Sequence, residues 1–422
     1  MAVEPAYSFT IPSVEDDTTL ECRIYHPAIL GSILHRGSRD LKGAIFAHPY
    51  APLGGCYDDP VVLSVTEMLV RMGYVVATFN FRGAGGSHGK TSWTGKSEIE
   101  DHVSIVGFML YYLRTLRHTR QDQDALSPIV SADERNGSTI APSGARPLPV
   151  LLGGYSYGSL VLARLPPVLA IQKRFEEAST GTAAAEIILR ARTLAAQTLV
   201  TVEQAQQHDS RASRDRGLMP DDGCPSPTKR SKVSSVTLGG EETDSSERRR
   251  SRDSRRSVDL VRKSVDIPRR LKTHIRHGSV PQKHHVPSAD EKSHPPTSTD
   301  GIGDSASPLL VAPHYLLISP VILPFTTQIC PPGPPIPPLS WRNRSTDSSA
   351  GGLFLQHPTL ALFGTKDAFT SSRRLRAWAE KQMGLGVGFE WESMEGAGHF
   401  WREEGVMHTL RERVSEWVET LR

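Results

Sequence analysis

Two stretches of the 422-residue sequence match the pattern G-x-S-x-G, in which a serine flanked by glycines can serve as a nucleophile. One match is centred on Ser87, at residues 85–89, and the other on Ser156, at residues 154–158. A chain with 35 glycines contains about 0.3 such matches by chance. The surrounding sequence must therefore decide which serine, if either, performs nucleophilic chemistry.

The sequence around Ser156 predicts a turn between a strand and a helix. An apolar segment, residues 149–155, precedes this serine, and a second one, "SLVLARL" at residues 159–165, follows at once. This is the context of a nucleophile elbow. The serine backbone of such an elbow is strained, and a side chain two residues away on either side would collide with the neighbouring helix and strand, which explains the glycines. An ordinary strand–helix turn is the alternative.

The sequence around Ser87 lacks this context. Ser87 lies six residues after Phe81, the end of another predicted strand, and its glycine-rich loop is followed by "KTSWTGKSE", which is not an apolar helix. We therefore interpret the match at Ser87 as coincidental and its glycines as part of a tight loop.

A nucleophilic serine needs a base within hydrogen-bonding reach and a carboxylate that orients the base. After a nucleophile elbow these partners follow in the order Asp, His. Asp367 comes just after a predicted strand, and His399 lies in the glycine-rich segment "GAGHF" after the last predicted strand. We therefore predict a catalytic triad of Ser156, His399 and Asp367. The alternatives are a helix-capping or turn role for Asp367 and no role for His399.

Other histidines and acids fit this order less well. His48, His88 and His102 precede Ser156 in the chain, and Glu392 lies inside a predicted strand rather than after it. We expect none of these four residues in the triad.

An oxyanion formed at the reacting carbonyl needs two hydrogen-bond donors. One is the backbone N–H of the residue after the nucleophile, here Tyr157. The other should come from the loop after the predicted strand at residues 43–49. Because proline has no N–H, Pro49 cannot serve, and Tyr50 is the nearest donor.

The elements that must position these residues alternate between strands and helices. The predicted strands are residues 43–49, 73–81, 149–156, 314–322, 358–364 and 389–395, together with an edge-type strand at 20–28. The predicted helices are residues 60–72, 97–116, 183–207, 373–383 and 405–421. The alternation predicts an α/β fold with a mostly parallel sheet and helices on both faces.

Three stretches interrupt this alternation. They are a long loop at residues 119–147, a proline-rich connector at 322–352, and a predicted disordered insertion at 207–307 that is rich in Ser, Arg, Lys and Pro. We therefore divide the chain into the first half of a core at residues 1–165, a helical insertion and candidate lid at 166–206, the disordered insertion at 207–307, and the second half of the core at 308–422.

Composition and charge limit the expected partners and cofactors. The formal net charge of +3 is too small to indicate a nucleic-acid partner. The four cysteines are scattered without paired spacing, and the glycine-rich loop near Ser87 lacks the Lys-Ser/Thr of a phosphate loop, so we expect no metal and no cofactor. No signal sequence and no apolar run of about 20 residues is found. We expect a cytoplasmic protein without a membrane span, with a nuclear location as the alternative that "PTKRSK" indicates.

Five motifs in order make the chain resemble the α/β-hydrolase superfamily. They are "AHPYAPLGG" (residues 47–55), "FNFRGAGGSHG" (79–89), "GGYSYG" (153–158), "GTKD" (364–367) and "GAGHFW" (396–401). The pattern is similar to that of small cytoplasmic hydrolases related to the dienelactone-hydrolase and serine-aminopeptidase groups. The resemblance implies an α/β-hydrolase fold and the triad predicted above. It also implies that the loop near Ser87 is structural, with Arg82 binding backbone carbonyls or a carboxylate such as that of Asp101.

These residues predict a serine hydrolase of the carboxylesterase type, acting on an ester, thioester or amide of a small-molecule acyl substrate. A serine peptidase of the same fold is one alternative. A regulatory or interaction protein on a hydrolase scaffold is another, because residues 229–276 carry 15 Lys and Arg against 7 Asp and Glu. Ser251 and Ser257 follow arginine runs as sites for basic-directed kinases do, so residues 207–307 are a candidate binding segment for a kinase or another protein.

Overall fold

Nine strands form one sheet in the part of the chain that the structure describes. They are β1 (Tyr7–Pro12), β2 (Thr19–Tyr25), β3 (Lys42–Ala47), β4 (Tyr74–Phe79), β5 (Leu148–Tyr155), β6 (Thr237–Leu238), β7 (Val311–Ile318), β8 (Thr359–Lys366) and β9 (Phe389–Gly398). Their order across the sheet is β6-β1-β2-β4-β3-β5-β7-β8-β9. The strands from β4 to β9 in this order pair in parallel, whereas β2 pairs antiparallel with both β1 and β4.

The computed structural model describes residues 3–38, 40–92, 95–125, 146–216, 237–238, 309–321, 353–386 and 388–421. The α-helices in these ranges are α1 (Leu30–His35), α2 (Pro60–Arg71), α3 (Lys96–Ala125), α4 (Tyr157–Leu162), α5 (Val168–Glu176), α6 (Ala183–Arg216), α7 (Leu353–Gln356), α8 (Ser372–Leu385) and α9 (Val406–Thr420). None of the helices within these ranges is long and apolar enough to cross a membrane.

Apolar side chains on both faces of the central strands create two cores. Along β3, Ala44 and Phe46 belong to one core, whereas Ile45 and Ala47 belong to the other. Helices α2 and α9 cover the first core, and α3, α5, α6 and α8 cover the second. Because each central strand is buried on both faces, its sequence is continuously apolar, as parallel strands require. The predicted parallel sheet with helices on both faces is confirmed.

The first two strands differ from the prediction for this region. Residues 20–28 were expected to form an edge strand, but β2 lies inside the sheet between β1 and β4. The reason is β1, which the apolar pattern did not predict and which pairs along the outer side of β2 from Tyr7 to Pro12. A six-residue strand that ends in proline gives a weak pattern, and it becomes a strand through its pairing with β2.

Two helices continue beyond their predicted ends. Helix α3 runs through residues 119–125 of the predicted loop, and α6 reaches Arg216, past the predicted start of the insertion at residue 207. Both stretches are polar, which predicts a loop for the first and disorder for the second, but neither contains a glycine or proline that would end a helix. The rest of the insertion, apart from β6, and the predicted connector at 322–352 lie outside the described residues.

Helix α6 covers the β1 side of the sheet. Leu194 is buried in the same core as residues of α3, and the Thr198 hydroxyl shares hydrogen bonds with the hydroxyls of Tyr112, on α3, and Tyr7, on β1. These contacts explain why a helix at this place in the chain carries an apolar face. A lid role for residues 166–206 stays a prediction.

The loop after β4 is fixed by a buried cation, Arg82. Its Nε and Nη2 donate to the Asp101 carboxylate on α3, with the shortest contact at 2.7 Å, and its Nη1 donates to Asp16 at 2.9 Å. Asp101 is fully buried, and Arg82 is 6% exposed. The contact with Asp101 that the family resemblance implied is therefore present. Arg82 joins the segment after β1, the loop after β4 and α3.

Replacement of Arg82 by alanine should destabilise the fold, because it leaves the Asp101 carboxylate buried without its partner. We expect a loss of about 3–5 kcal/mol in the free energy of unfolding, measured by urea denaturation. Lys173→Ala, which breaks the exposed ion pair with Glu177 at 3.7 Å, is the control and should change stability by less than about 1 kcal/mol. Similar losses in the two variants would contradict the assigned role of Arg82.

Candidate active site

Ser156 occupies the turn between β5 and α4. Its backbone has φ 55° and ψ −113°, a region that residues other than glycine rarely adopt. The Ser156 N–H donates to the carbonyl oxygen of Ile318 on the neighbouring strand β7 at 2.8 Å. The turn thus joins a buried strand to a helix with a strained serine at its centre, as the apolar pattern around Ser156 predicts.

Gly154 and Gly158 allow the turn to be this tight. A Cβ atom on Gly154 would lie 2.5 Å from the carbonyl carbon of Gly158. A Cβ atom on Gly158 would lie 2.5 Å from the carbonyl oxygen of Ala47, at the end of β3. The atoms in the way are backbone atoms, which cannot rotate aside, so α4 can start against β5 and β3 only with glycine at both positions.

His399, immediately after β9, links the serine to the carboxylate of Asp367. Its Nε2 lies 2.7 Å from Ser156 Oγ, and its Nδ1 lies 2.7 Å from Asp367 Oδ2. The three residues are 6%, 4% and 8% exposed in the order serine, histidine, aspartate. With Nδ1–H donated to the carboxylate, Nε2 is the acceptor that faces the serine hydroxyl. The structure therefore brings the three predicted triad residues together in one hydrogen-bonded row.

The Asp367 carboxylate is held in place by its own loop after β8. Its Oδ1 accepts the backbone N–H groups of Phe369, at 2.8 Å, and Thr370, at 3.0 Å. This turn leaves Oδ2 directed at His399. The next helix, α8, has Ser371 as its N-cap, so Asp367 does not cap it. The turn that was the alternative reading of Asp367 is present, and it serves to aim the carboxylate.

The loop of His399 is anchored at two points. The Tyr155 hydroxyl donates to the carbonyl oxygen of His399 at 2.8 Å, and burial raises the pKa of Tyr155, so this phenol keeps the proton that it donates. The Trp401 Nε1–H donates to Ser319 Oγ at 3.0 Å, at the end of β7. The Phe369 ring lies against the imidazole, with centroids 4.2 Å apart. These contacts limit the rotation of the imidazole.

Sequence reasoning missed Ser319, Trp401 and Phe369 as parts of the site. The motif "GAGHFW" contains Trp401, but nothing in it signals a bond to a serine 82 residues away. Phe369 follows Asp367 by two residues, and only the turn at Asp367 places its ring on the imidazole. All three act through contacts that the fold creates.

The two residues predicted to form the oxyanion hole lie side by side. Tyr157 is the first residue of α4, and Tyr50 follows β3, with the ring centroids 5.1 Å apart. The close approach of Gly158 to Ala47 brings the start of α4 to the end of β3. The structure brings the two tyrosines together, and their donation to an oxyanion stays a prediction.

Ser87 has different surroundings. Its Oγ accepts the backbone N–H of Glu21 at 2.9 Å and donates to the carbonyl oxygen of Asn80 at 2.8 Å. Its hydroxyl proton is thus committed to a backbone oxygen instead of a base. These contacts agree with the interpretation of this loop as structural.

Comparisons with known proteins find likenesses to solved structures at low sequence identity. No family model and no curated protein matches the chain. An α/β serine hydrolase homologue from Coxiella burnetii aligns with 13% identity over 100% of both chains at a TM-score of 0.39. An α/β serine hydrolase without a lid from Xanthomonas campestris aligns with 14% identity over 99% of this chain and 97% of that one at a TM-score of 0.40. The esterase Pf2001 from Pyrococcus furiosus aligns with 12% identity over 99% of this chain and 92% of that one at a TM-score of 0.39.

The strand order and the local geometry define the fold. The strands β5, β8 and β9, which belong to the parallel part of the sheet, are followed in chain order by a serine on a strand–helix elbow, an aspartate and a histidine. The chain has the α/β-hydrolase fold. Function in an α/β hydrolase is decided by the site and not by the fold. Within the described ranges, no group of three or more His, Cys, Asp or Glu side chains is arranged to hold a metal ion.

Gly158→Ala should destabilise this α/β-hydrolase fold, because its methyl group would press on backbone atoms of Ala47 and His48. We expect a loss of about 1–3 kcal/mol or more in the free energy of unfolding, measured by urea denaturation. Gly384→Ala in α8 is the matched control, because its Cβ would meet no atom within 4 Å. Alanine favours a helix, so the control should be neutral or stabilised by up to about 1 kcal/mol. A neutral Gly158→Ala variant would contradict the packing at the elbow.

Proposed function

We propose that this protein is a serine hydrolase that cleaves carboxylic esters of small molecules through an acyl-enzyme. The observation that supports the proposal is the unbroken row from Ser156 Oγ through the imidazole of His399 to Asp367, with both hydrogen bonds at 2.7 Å. A hydroxyl, an imidazole and a carboxylate in this row are the groups that acyl transfer requires.

Acylation begins when Ser156 Oγ attacks the carbonyl carbon of the ester. Its proton moves to Nε2 of His399, and the Asp367 carboxylate stabilises the imidazolium that forms. The carbonyl oxygen becomes an oxyanion that accepts the backbone N–H groups of Tyr157 and Tyr50. When the carbon–oxygen bond to the leaving group breaks, Nε2 donates its proton to the departing alcohol, and the acyl group remains on Ser156.

Deacylation repeats these steps with water. His399 Nε2 takes a proton from a water molecule, whose oxygen attacks the acyl carbon. The second oxyanion collapses, the bond to Ser156 Oγ breaks, and Nε2 returns the proton to Oγ. The products are a carboxylic acid and an alcohol, and the enzyme is restored.

Treatment with a fluorophosphonate probe should label Ser156, because the probe forms a covalent bond with an activated serine. Ser156→Ala should abolish labelling and ester turnover. Ser87→Ala is the matched control, since it removes the serine of the other G-x-S-x-G match, and labelling should persist. Labelling is read by tandem mass spectrometry of the tryptic peptides. Labelling that survives in Ser156→Ala would refute the assignment of the nucleophile.

Esters should be hydrolysed faster than amides, because an ester has the better leaving group and demands less of the site. We expect turnover of p-nitrophenyl esters of graded acyl length and at least 100-fold lower kcat/KM for aminoacyl p-nitroanilides, a difference of about 2.7 kcal/mol in transition-state stabilisation. Comparable kcat/KM values for the two classes would favour the serine-peptidase alternative. Thioesters of the same acids complete the series.

An interaction role for the basic segment remains an alternative prediction. Residues 229–276 and the arginine-serine runs within them lie outside the described residues, apart from β6. The cytoplasmic location, the nuclear alternative and the absence of a cofactor likewise stay predictions from sequence. The site at Ser156 favours an enzyme over a scaffold.

A further inference from the structure

His48, just after β3, is fully buried, and backbone groups contact both of its ring nitrogens. The Phe81 N–H donates to Nε2 at 2.9 Å, and Nδ1 lies 2.6 Å from the carbonyl oxygen of Pro49. Because Nε2 accepts, the single proton of the neutral ring is on Nδ1 and is donated to Pro49. The two contacts fix both the tautomer and the orientation of the ring.

The hydrogen bond from His48 acts on the peptide unit that also contains the Tyr50 N–H. The carbonyl of Pro49 and the N–H of Tyr50 lie in one plane and, in the trans form, point in opposite directions. A group that fixes the direction of the carbonyl therefore fixes the direction of the N–H. A side chain that binds the Pro49 carbonyl can therefore orient the Tyr50 N–H without touching it.

The Pro49 carbonyl also lies close to the backbone of its own loop. A Cβ atom on Gly55 would lie 2.3 Å from the carbonyl oxygen of Pro49, and the Gly55 N–H donates to the Tyr50 carbonyl at 3.2 Å. The imidazole is itself held by the Phe81 ring, with centroids 4.9 Å apart. His48 thereby joins the residues after β4 to the loop that carries Tyr50.

We propose that His48 is a positioning residue that aims the Tyr50 N–H at the oxyanion. The inference rests on the proposed function, because it assigns a further residue to the same site. Without the Nδ1–H donor, the Pro49–Tyr50 peptide can tilt, and the oxyanion loses part of one of its two hydrogen bonds in the transition state. The ground-state substrate, which carries no oxyanion, is bound as before.

The charge state of His48 is compatible with this role. Burial lowers the pKa of His48 to about 4, so the ring is neutral near pH 7. Neutrality matters, because a proton on Nε2 would remove the acceptor for the Phe81 N–H and release the ring. The geometry of the two hydrogen bonds, and not the titration, carries the assignment.

Three substitutions of His48 separate its two hydrogen bonds. His48→Ala removes both and should lower kcat for p-nitrophenyl butyrate by about 10- to 100-fold, with KM changed less than about threefold. His48→Asn places an amide N–H at the position of Nδ1, keeps the bond to Pro49, and should recover most of kcat. His48→Gln reaches the position of Nε2, keeps only the bond from Phe81, and should stay low.

A trifluoromethyl ketone inhibitor provides the second readout, because its adduct with the serine carries an oxyanion. Its inhibition constant should rise in His48→Ala and His48→Gln by the same factor as kcat/KM falls. His102→Ala is the control: His102 is also fully buried, and neither ring nitrogen has a hydrogen-bond partner among the described residues. It should leave kcat and the inhibition constant unchanged apart from any loss of folded protein.

The outcomes distinguish this inference from the proposed function. If His48→Gln restores kcat and His48→Asn does not, His48 acts only as a support for Phe81, and the inference is overturned. Equal activity of the two variants would show that the bond to Pro49 does not matter, which also overturns the inference. The Asn and Gln variants decide the matter even where His48→Ala does not fold. A wild-type protein that is not labelled at Ser156 by a fluorophosphonate would overturn the proposed function, and the inference with it.

Discussion

The strained backbone at Ser156 is the constraint on which the rest of the site depends. A non-glycine residue at φ 55° and ψ −113° costs on the order of 1–3 kcal/mol, which its surroundings must offset. The bond from the Ser156 N–H to Ile318 and the close contacts that Gly154 and Gly158 allow hold this conformation. In this conformation, Ser156 Oγ projects toward His399, and α4 begins against the end of β3.

Parallel pairing explains why side chains 243 residues apart can meet in a hydrogen bond, and why sequence order could predict them. The strands β5, β7, β8 and β9 are neighbours and bring their carboxyl ends to one edge of the sheet. A residue just after such a strand therefore reaches that edge, whatever the chain does between strands. Ser156, Asp367 and His399 each satisfy this condition, so the strand pattern and residue order were sufficient to place them.

Features that depend on contacts across the fold were not predictable in this way. The sequence shows that His48 precedes Ser156 and is thus a poor candidate for the predicted triad, but not that its two ring nitrogens bond to different loops. Trp401, which follows β9, reaches Ser319, at the end of β7, in a contact across β8 that the sequence does not indicate. The apolar patterns of β1 and of the last turns of α6 are weak. Pairing with β2 makes β1 a strand, and the uninterrupted hydrogen bonding of the helix backbone extends α6.

The most direct test of the account is a crystal structure of the protein after reaction with a fluorophosphonate. The account predicts phosphorus bonded to Ser156 Oγ, with a phosphoryl oxygen about 2.7–3.1 Å from the backbone nitrogens of Tyr157 and Tyr50. It also predicts that Nε2 of His399 remains beside the bonded oxygen. Phosphorus on another side chain, or a phosphoryl oxygen directed away from both N–H groups, would contradict it.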